Sequence, residues 1–204
     1  ILYNNAGGAT PRDDHLLNMP LDEFDAAIAL NLFGPFAACR SVIPYMGERG
    51  GGSIINTSSI SALEAGWAPI TYSVAKIGVA HFSRIAAAQV AKHKIRVNAI
   101  LPGFIATSIF GASLGMSREV ADQMAEMLAQ QGGAMQPAGR TGKGRDIAEM
   151  AAFLASDAAE FITGVYEFDS VEVVDVRAAE PEAAVEPGLQ AGHRLDVRDR
   201  APAV

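Results

Sequence analysis

Short apolar runs alternate along the chain with longer segments in which apolar residues recur at helical spacing. Runs bounded by glycine or proline, as buried parallel strands are, lie at 1–5, 53–58 and 96–101, and a last one begins at Tyr166. Segments with helical periodicity lie between them, at 20–46, 72–92, 117–130 and 146–156. Strands that alternate with helices at this interval predict an α/β fold, a doubly wound parallel sheet covered by helices on both faces.

Prolines and charges indicate where two of these helices begin and end. Pro20 can open the first helix, because the first turn does not use that N–H group, and Pro35 predicts a kink within it. The 72–92 helix is rich in alanine and closes with Lys92, His93 and Lys94, which favour the negative end of a helix. Both helices are therefore predicted to be long.

Composition narrows the class of protein. A chain of 204 residues with 50% hydrophobic and 19% charged residues can form one domain with a sizeable core. Cys39 is the single cysteine, which favours a reducing compartment, and the cytoplasm is the default expectation. The net charge of −7 argues against a nucleic-acid partner. No uninterrupted apolar run reaches membrane-spanning length, and the four scattered histidines predict no metal site.

The last 38 residues, 167–204, differ from the rest of the chain. They contain nine acidic residues, four arginines and no lysine, and three prolines interrupt them. Such a composition predicts an extended or disordered tail. Two interpretations stay open: an end that is not native to the fold, or a divergent tail that binds a partner.

The main candidate chemistry is a Tyr-x-x-x-Lys pair with a serine upstream. On a helix, Tyr72 and Lys76 share one face, and Ser59 ends the apolar run before them. Lowering a phenol pKa from about 10 toward 7 takes about 4 kcal/mol, and a cation about 5 Å away supplies roughly 3. The pair is thus a candidate acid/base. The alternative is a half-buried helix on which the tyrosine packs and the lysine stem covers apolar surface.

The blocks around this pair resemble the short-chain dehydrogenase/reductase family. They occur in the family's order, from residue 1 to about Tyr166: Asn4-Asn5-Ala6-Gly7, Leu30-Asn31-Leu32-Phe33-Gly34, Gly52 to Ser59, Tyr72 to Lys76, and Arg96 to Gly103 with Thr107 after it. The resemblance implies a Rossmann-type fold and an NAD(P)-dependent oxidoreductase that interconverts a secondary alcohol and a ketone. An enoyl-type reductase fits less well, because those relatives space the tyrosine and lysine more widely.

The resemblance also implies roles for individual residues. Tyr72 would be the general acid/base, Lys76 would lower its pKa and bind the nicotinamide ribose, and Ser59 would hold the substrate oxygen. Asn31 would hold a water that links Lys76 to solvent, or would instead fill a break in its helix. The residues expected to contact the cofactor are Asn5, Ala6, Gly7, Tyr72, Lys76, Pro102, Gly103, Ile105 and Thr107.

The position of the first block sets a further expectation. The family places a glycine-rich phosphate-binding turn well before its Asn-Asn-Ala-Gly block, which here begins at residue 4. Residues 1–166 are therefore expected to be the C-terminal two-thirds of an N-terminally truncated domain. NAD and NADP both stay open as cofactors, since the side chain that distinguishes them lies in the missing part. The alternative function is a catalytically inactive fragment or a non-catalytic interaction module.

Substrate and assembly complete the expectations. The segment 104–137 is apolar and rich in methionine, and Trp67 lies in the loop before Tyr72, which favours a neutral apolar alcohol or ketone over an anionic substrate. Family members usually form dimers or tetramers through the two long helices. The second helix carries apolar residues that either serve that contact or pack in the core: Ala75, Val79, Phe82, Ala86 and Val90.

Overall fold

The computed structural model describes residues 1–13, 15–131, 136 and 138–168. Within this part, four parallel strands form one sheet in the order β1-β2-β3-β4. They are β1 (Leu2–Asn4), β2 (Gly52–Thr57), β3 (Ile95–Leu101) and β4 (Tyr166–Phe168). All four predicted strands are confirmed, and β4 extends two residues into the segment predicted as a tail. The rest of that predicted tail lies outside the described residues.

Helices cover both faces of the sheet, as predicted. Neighbouring residues of β2 point to opposite faces: Ile54 packs with residues of the helices on one side, and Ile55 packs with Ile147 and Leu154 on the other. The helices are α1 (Leu21–Ile28), α2 (Gly34–Glu48), α3 (Ile70–Val90), α4 (Ile109–Ser113), α5 (Arg118–Gln131) and α6 (Gly144–Ala155). The two apolar layers, one under α2 and α3 and one under α6, enclose the sheet and make the fold doubly wound.

The predicted kink in the first helix is a π-helical turn. Residues Ala29–Phe33 form it, between α1 and α2, and Pro35 lies in the first turn of α2. One extra residue in a helical turn is typical of functional positions, and here the turn contains the buried Asn31. A second irregularity ends α3, where the short 3₁₀ turn Ala91–His93 leads to Lys94 in the left-handed conformation.

Some apolar residues of α3 lie in the core and others lie on the surface, and the sequence pattern does not distinguish the two groups. The set predicted for either role belongs to the core: Ala75, Val79, Ala86 and Val90 are buried, and Phe82 packs against them. Other apolar side chains of the helix are exposed instead, namely Val74 (48%), Ile77 (40%) and Ile85 (46%). The core-packing interpretation is therefore correct for the predicted set.

Buried and half-buried asparagines join the strands to one another and to neighbouring segments. Asn4 donates a hydrogen bond to the Oδ1 of Asn56 (2.7 Å), and Asn56 donates to the hydroxyl of Ser83 on α3 (2.8 Å). Asn98 donates to the carbonyl oxygen of Ile162 (2.9 Å). These hydrogen bonds replace those that the amide groups would form with water, so the role of these asparagines is structural.

The helical stretch Leu21–Glu48 is long and apolar enough to span a membrane by length and composition alone. The expectation from the sequence concerned only uninterrupted apolar runs, and this stretch contains charged residues such as Glu23 and Arg40. A core helix of a globular protein passes the same test, and α2 contributes Cys39 and Met46 to the core beneath it.

Candidate active site

The candidate site lies where the carboxyl ends of three parallel strands meet. Asn5 to Gly8 follow β1, Ser58 and Ser59 follow β2, and Pro102 follows β3. A cavity of about 650 Å³ opens at this edge of the sheet, the usual place for a ligand in an open α/β fold. Nine of the predicted site residues line it: Asn5, Gly7, Ser59, Tyr72, Lys76, Pro102, Gly103, Ile105 and Thr107.

Two predicted site residues lie elsewhere. Ala6 lines a neighbouring cavity of about 350 Å³, which it shares with Asn5 and with residues of α2 such as Pro35. Asn31 is fully buried and lines neither cavity. Lining of the larger cavity supports ligand contact for the first set, and ligand contact of Ala6 and of Asn31 stays a prediction.

Lys76 is held in place by the end of β2. Its Nζ lies 2.9 Å from the carbonyl oxygen of Thr57, to which it donates a hydrogen bond. The hydroxyl of Ser58 donates to the backbone oxygen of Lys76 (2.6 Å). The same Nζ lies 5.3 Å from the centre of the Tyr72 ring. The end of β2 thus anchors both the backbone and the side chain of Lys76, beside the Tyr72 phenol.

Burial shifts both titratable groups toward their neutral forms. It raises the pKa of the Tyr72 phenol above its ordinary value, and a hydrogen bond with Ser59 acts in the opposite direction. Burial also lowers the pKa of the Lys76 ammonium to about 8. The structure therefore shifts the Tyr72 pKa in the direction opposite to the one expected, because the loss of water on burial outweighs the hydrogen bond with Ser59.

Ser59 is fixed by a short turn that follows the strand. Its backbone is extended, and it caps the 3₁₀ turn Ile60–Ala62 by accepting a hydrogen bond from the N–H of Ser61 (3.2 Å). The hydroxyl of Ser61 also donates to the Ser59 oxygen (3.0 Å). With its oxygen accepting from these groups, the Ser59 hydroxyl proton is free to be donated toward Tyr72 or a ligand oxygen.

Asn31 supports the segment after β1 and does not face the cavity. Its Oδ1 accepts from the N–H of Gly8 (3.0 Å), and its Nδ2 donates to the oxygens of Gly8 (2.9 Å) and Ala27 (3.0 Å). Both amide hydrogens are therefore occupied. Of the two interpretations, this arrangement favours the residue that fills a helix break, and only oxygen atoms of Asn31 are left for a water.

Gly7 occupies the point where this segment comes closest to the lysine. A Cβ at Gly7 would lie 2.7 Å from the Oδ1 of Asn31 and 3.2 Å from the Nζ of Lys76. A side chain does not fit there, while a flat ligand that approaches the glycine backbone does. The small residues on this side of the cavity, together with the donor groups of Lys76, fit a nicotinamide riboside.

Much of the remaining cavity lining is apolar. Trp67, Phe104, Ile109 and Phe110 line it, and the rings of Phe104 and Phe110 lie 4.9 Å apart. We call these four residues the apolar wall, and Ser59, Tyr72 and Lys76 the catalytic wall. None of the methionines that the structure describes lines the cavity, and Met135 lies outside the described residues, so contact of the methionine-rich segment 104–137 with a substrate stays a prediction. Aromatic and branched side chains form the apolar wall.

Sequence reasoning missed two supporting residues. Ser58, adjacent to the predicted Ser59, fixes α3 through the backbone of Lys76. Asp13 accepts hydrogen bonds from the N–H groups of Thr71 and Tyr72 at the start of α3. Asp13 gives no local signal, because its partners lie 58 and 59 positions further along the chain.

Comparison with protein families and curated proteins gives consistent matches. A family model described as "Enoyl-(Acyl carrier protein) reductase" matches residues 1–167. The chain is 37% identical over 164 residues to "Uncharacterized oxidoreductase YxbG" of Bacillus subtilis (strain 168), a match that covers 80% of this chain and 58% of that protein. It is 35% identical over 164 residues to "3-oxoacyl-[acyl-carrier-protein] reductase FabG" of Thermotoga maritima, covering 80% and 61%.

A solved structure with the same fold contains a cofactor and a ligand. It is a 7α-hydroxysteroid dehydrogenase complexed with NADH and 7-oxo glycochenodeoxycholic acid, 32% identical, with a TM-score of 0.70 over 85% of this chain and 63% of that one. The chain spans about three fifths of the length of the curated relatives named above.

Proposed function

Because the chain belongs to the short-chain dehydrogenase/reductase family, we propose that it carries the catalytic part of an NAD(P)-dependent oxidoreductase. The reaction is the interconversion of a secondary alcohol and a ketone. One observation carries the proposal: Ser59, Tyr72 and Lys76 line a single cavity, which the residues of the apolar wall line as well. A fold alone would not support the reaction, since the same fold serves many chemistries.

The catalytic wall is suited to hold and protonate a carbonyl oxygen. Tyr72 is neutral at physiological pH, because burial raises its pKa, so it can donate its proton to the oxygen of a ketone during reduction. Ser59 donates a second hydrogen bond and stabilises the charge that develops on that oxygen. In the direction of alcohol oxidation, the phenolate form of Tyr72 accepts the proton of the alcohol. The nicotinamide, when bound, supplies or accepts the hydride.

Lys76 would serve the cofactor and the tyrosine together. One of its N–H groups is bonded to Thr57, which leaves two to donate to ribose hydroxyls. Asn5, Gly7, Pro102, Gly103, Ile105 and Thr107 would line the same side, and either NAD or NADP fits this proposal. The charge of Lys76 depends on its surroundings, since its pKa of about 8 lies near the working range.

The substrate we favour is a neutral apolar ketone or alcohol. Among the described residues that line the cavity, Lys76 carries the only charge, and it is committed to the cofactor side. Binding of a phosphate or carboxylate would require an arginine or a second lysine. The apolar wall offers ring faces and a branched side chain, which suit a cyclic or bulky hydrophobic group.

A second candidate is reduction of an acyl chain linked to a carrier. The family model is described as an enoyl reductase and one matched relative as a 3-oxoacyl-[acyl-carrier-protein] reductase. A 3-oxoacyl group also presents a ketone, and the catalytic wall can serve it in the same way. An enoyl substrate differs, because its hydride would go to a carbon of a double bond.

We also propose that the protein forms a homo-oligomer, a dimer or tetramer. Exposed apolar side chains lie on α3 and on the helical segment before it, among them Val74, Ile77, Ile85, Phe33 and Phe36. A second copy of the chain could cover them. Light scattering on the protein is expected to give at least twice the mass of one chain, and a monomer would contradict this. We place the protein in the cytoplasm, with no nucleic-acid or membrane partner.

The proposed function is tested with a substrate panel. The longest open reading frame that contains this sequence is expressed and mixed with NADH or NADPH and with neutral cyclic ketones, 3-oxoacyl thioesters and enoyl thioesters. We expect loss of reduced cofactor with the neutral ketones at the highest kcat/KM. Preference for a thioester would support the second candidate, and no cofactor oxidation with any compound would support the inactive fragment or interaction module instead.

A further inference from the structure

Helix α3 carries both Tyr72 and Lys76, yet it begins without a cap from its own N-terminal residue. The N-cap position is Pro69, which makes no side-chain hydrogen bond to the helix. The N–H groups of the first turn have no partner within a helix, and Tyr72 lies in that first turn. The position of the phenol therefore depends on whatever else binds these N–H groups.

Asp13 supplies the missing acceptors from a distant part of the chain. Its Oδ1 lies 3.1 Å from the N of Thr71, and its Oδ2 lies 3.0 Å from the N of Tyr72. These are the second and third positions of the helix, the ones that an N-cap side chain normally serves. A carboxylate is also favourable at the positive end of a helix. One side chain thus binds both donors.

The segment that carries Asp13 is itself anchored to the first helix. The backbone N–H of the adjacent Arg12 donates to Oε1 of Glu23 (3.1 Å), and its guanidinium lies 3.0 Å from Oε2 of the same residue. Glu23 is buried on α1. The segment that carries Asp13 is therefore held in place, and Asp13 can fix the start of α3.

The two functional residues of α3 differ in what holds them. Lys76 has its own anchors at the end of β2, through Thr57 and Ser58. The backbone of Tyr72 is anchored by Asp13. Removal of the Asp13 carboxylate should therefore loosen Tyr72 and leave Lys76 in place.

We propose that Asp13 is a positioning residue, which caps α3 from outside the helix and fixes the Tyr72 phenol for proton transfer. This inference rests on the proposed function of Tyr72. The proposal makes different predictions for two steps. Binding of the cofactor involves Lys76 and does not need Asp13. The chemical step uses Tyr72 and therefore does need Asp13.

Kinetics of Asp13→Ala test the separation. We expect kcat to fall roughly tenfold or more, within the loss of about 10²-fold that a 1 Å misplacement can cause. The Kd of the reduced cofactor should change by less than about twofold, because Lys76 keeps its anchors. Asp25→Ala is the matched control, since Asp25 is an exposed carboxylate on α1 and should leave both quantities unchanged. An unchanged kcat, or a weakened cofactor affinity with the same kcat, overturns the proposal.

Amide hydrogen exchange tests the contact without relying on activity. In the wild-type protein the N–H of Tyr72 should be protected, and Asp13→Ala should remove that protection while the amides in the middle of α3 keep theirs. If Asp13→Ala does not fold, Asp13→Asn, which keeps one acceptor oxygen, should show the same effects at smaller size. Unchanged exchange at Tyr72 overturns the proposal, and an inactive wild type with the expected exchange contradicts only the proposed function.

Discussion

The two walls of the cavity are built in different ways. On the catalytic wall, side chains are held by hydrogen bonds to backbone groups, as Lys76 is by Thr57. On the apolar wall, Trp67 (40% exposed) and Ile109 (39%) remain partly exposed, and the ring contact of Phe104 with Phe110 is the closest aromatic pair in the described part of the chain. Hydrogen bonds to the backbone thus hold polar groups of the catalytic wall, whereas ring and branched side chains, two of them partly exposed, form the apolar wall.

Under the proposed function, this difference predicts different parts of the reaction for the two walls. Interactions that strengthen only in the transition state raise kcat, and they require fixed donors. Apolar contacts bind substrate and transition state about equally, so they act mainly on KM. We therefore expect substitutions in the catalytic wall to lower kcat and substitutions in the apolar wall to raise KM.

The largest effect is expected for Tyr72→Phe. Removal of the hydroxyl removes the proton donor, which contributes about 10²–10⁴-fold to such reactions, so kcat should fall at least a hundredfold. Tyr45→Phe is the matched control, because Tyr45 lies exposed on α2 outside the cavity. Steady-state kinetics measure both, and near-normal turnover of Tyr72→Phe would remove this residue from the mechanism.

Lys76 should give the stability of the protein a distinctive pH dependence. Its pKa falls from 10.5 in water to about 8 in the folded protein, so between these values the unfolded chain binds more protons. The free energy of unfolding should therefore rise with pH from about 8 to 10.5, by about 3 kcal/mol from this group.

Lys76→Met provides the reference for this measurement. The difference in unfolding free energy between wild type and Lys76→Met, from urea titrations at several pH values, should increase across the same window. Other titrating groups cancel in the difference. A difference that stays constant with pH would mean that Lys76 keeps an ordinary pKa in the folded protein.

Gly7→Ala tests how closely the catalytic wall is packed. The new Cβ would lie 2.7 Å from the Oδ1 of Asn31. Such overpacking lowers the free energy of unfolding by about 1–3 kcal/mol. We expect a lower melting temperature and weaker cofactor binding. Gly8→Ala is a demanding control one residue away, because its Cβ would meet only Ile109, at an ordinary 3.8 Å. Equal effects of the two substitutions would argue against a specific close approach at Gly7.

Phe110→Ala should have the smallest effect, and it should act on KM and not on kcat. Loss of about 1 kcal/mol of apolar contact raises KM for an apolar ketone roughly three- to tenfold, with kcat little changed. Phe161→Ala is the control, since Phe161 is almost fully exposed and does not line the cavity. A fall in kcat with unchanged KM would show that the walls are not functionally separate.

Much of this architecture could be predicted from local patterns. The strands and long helices follow from short apolar runs and helical periodicity, and the site residues lie in recognisable blocks at strand ends. Thus Ser59, Tyr72 and Lys76 are brought together as expected, because the carboxyl ends of parallel strands meet at one edge.

What sequence reasoning missed depends on contacts between distant segments. The position of Asp13 at the start of α3 joins residues almost sixty positions apart, and no local pattern records such a contact. The methionine-rich segment 104–137 stays a prediction for a related reason, because composition alone does not tell which side of a short helix faces the cavity. The direction of the Tyr72 pKa shift was missed because it depends on burial, which spacing does not reveal.

The most direct test of the central claim follows the hydride into a substrate that offers two targets. A cyclic enone has both a carbonyl group and a double bond, and reduced cofactor with deuterium at the transferred position labels whichever carbon is attacked. The catalytic wall predicts an allylic alcohol with deuterium on the former carbonyl carbon, formed by the wild type and largely lost in Tyr72→Phe. A saturated ketone with deuterium on the β-carbon would contradict the account and indicate an enoyl reductase.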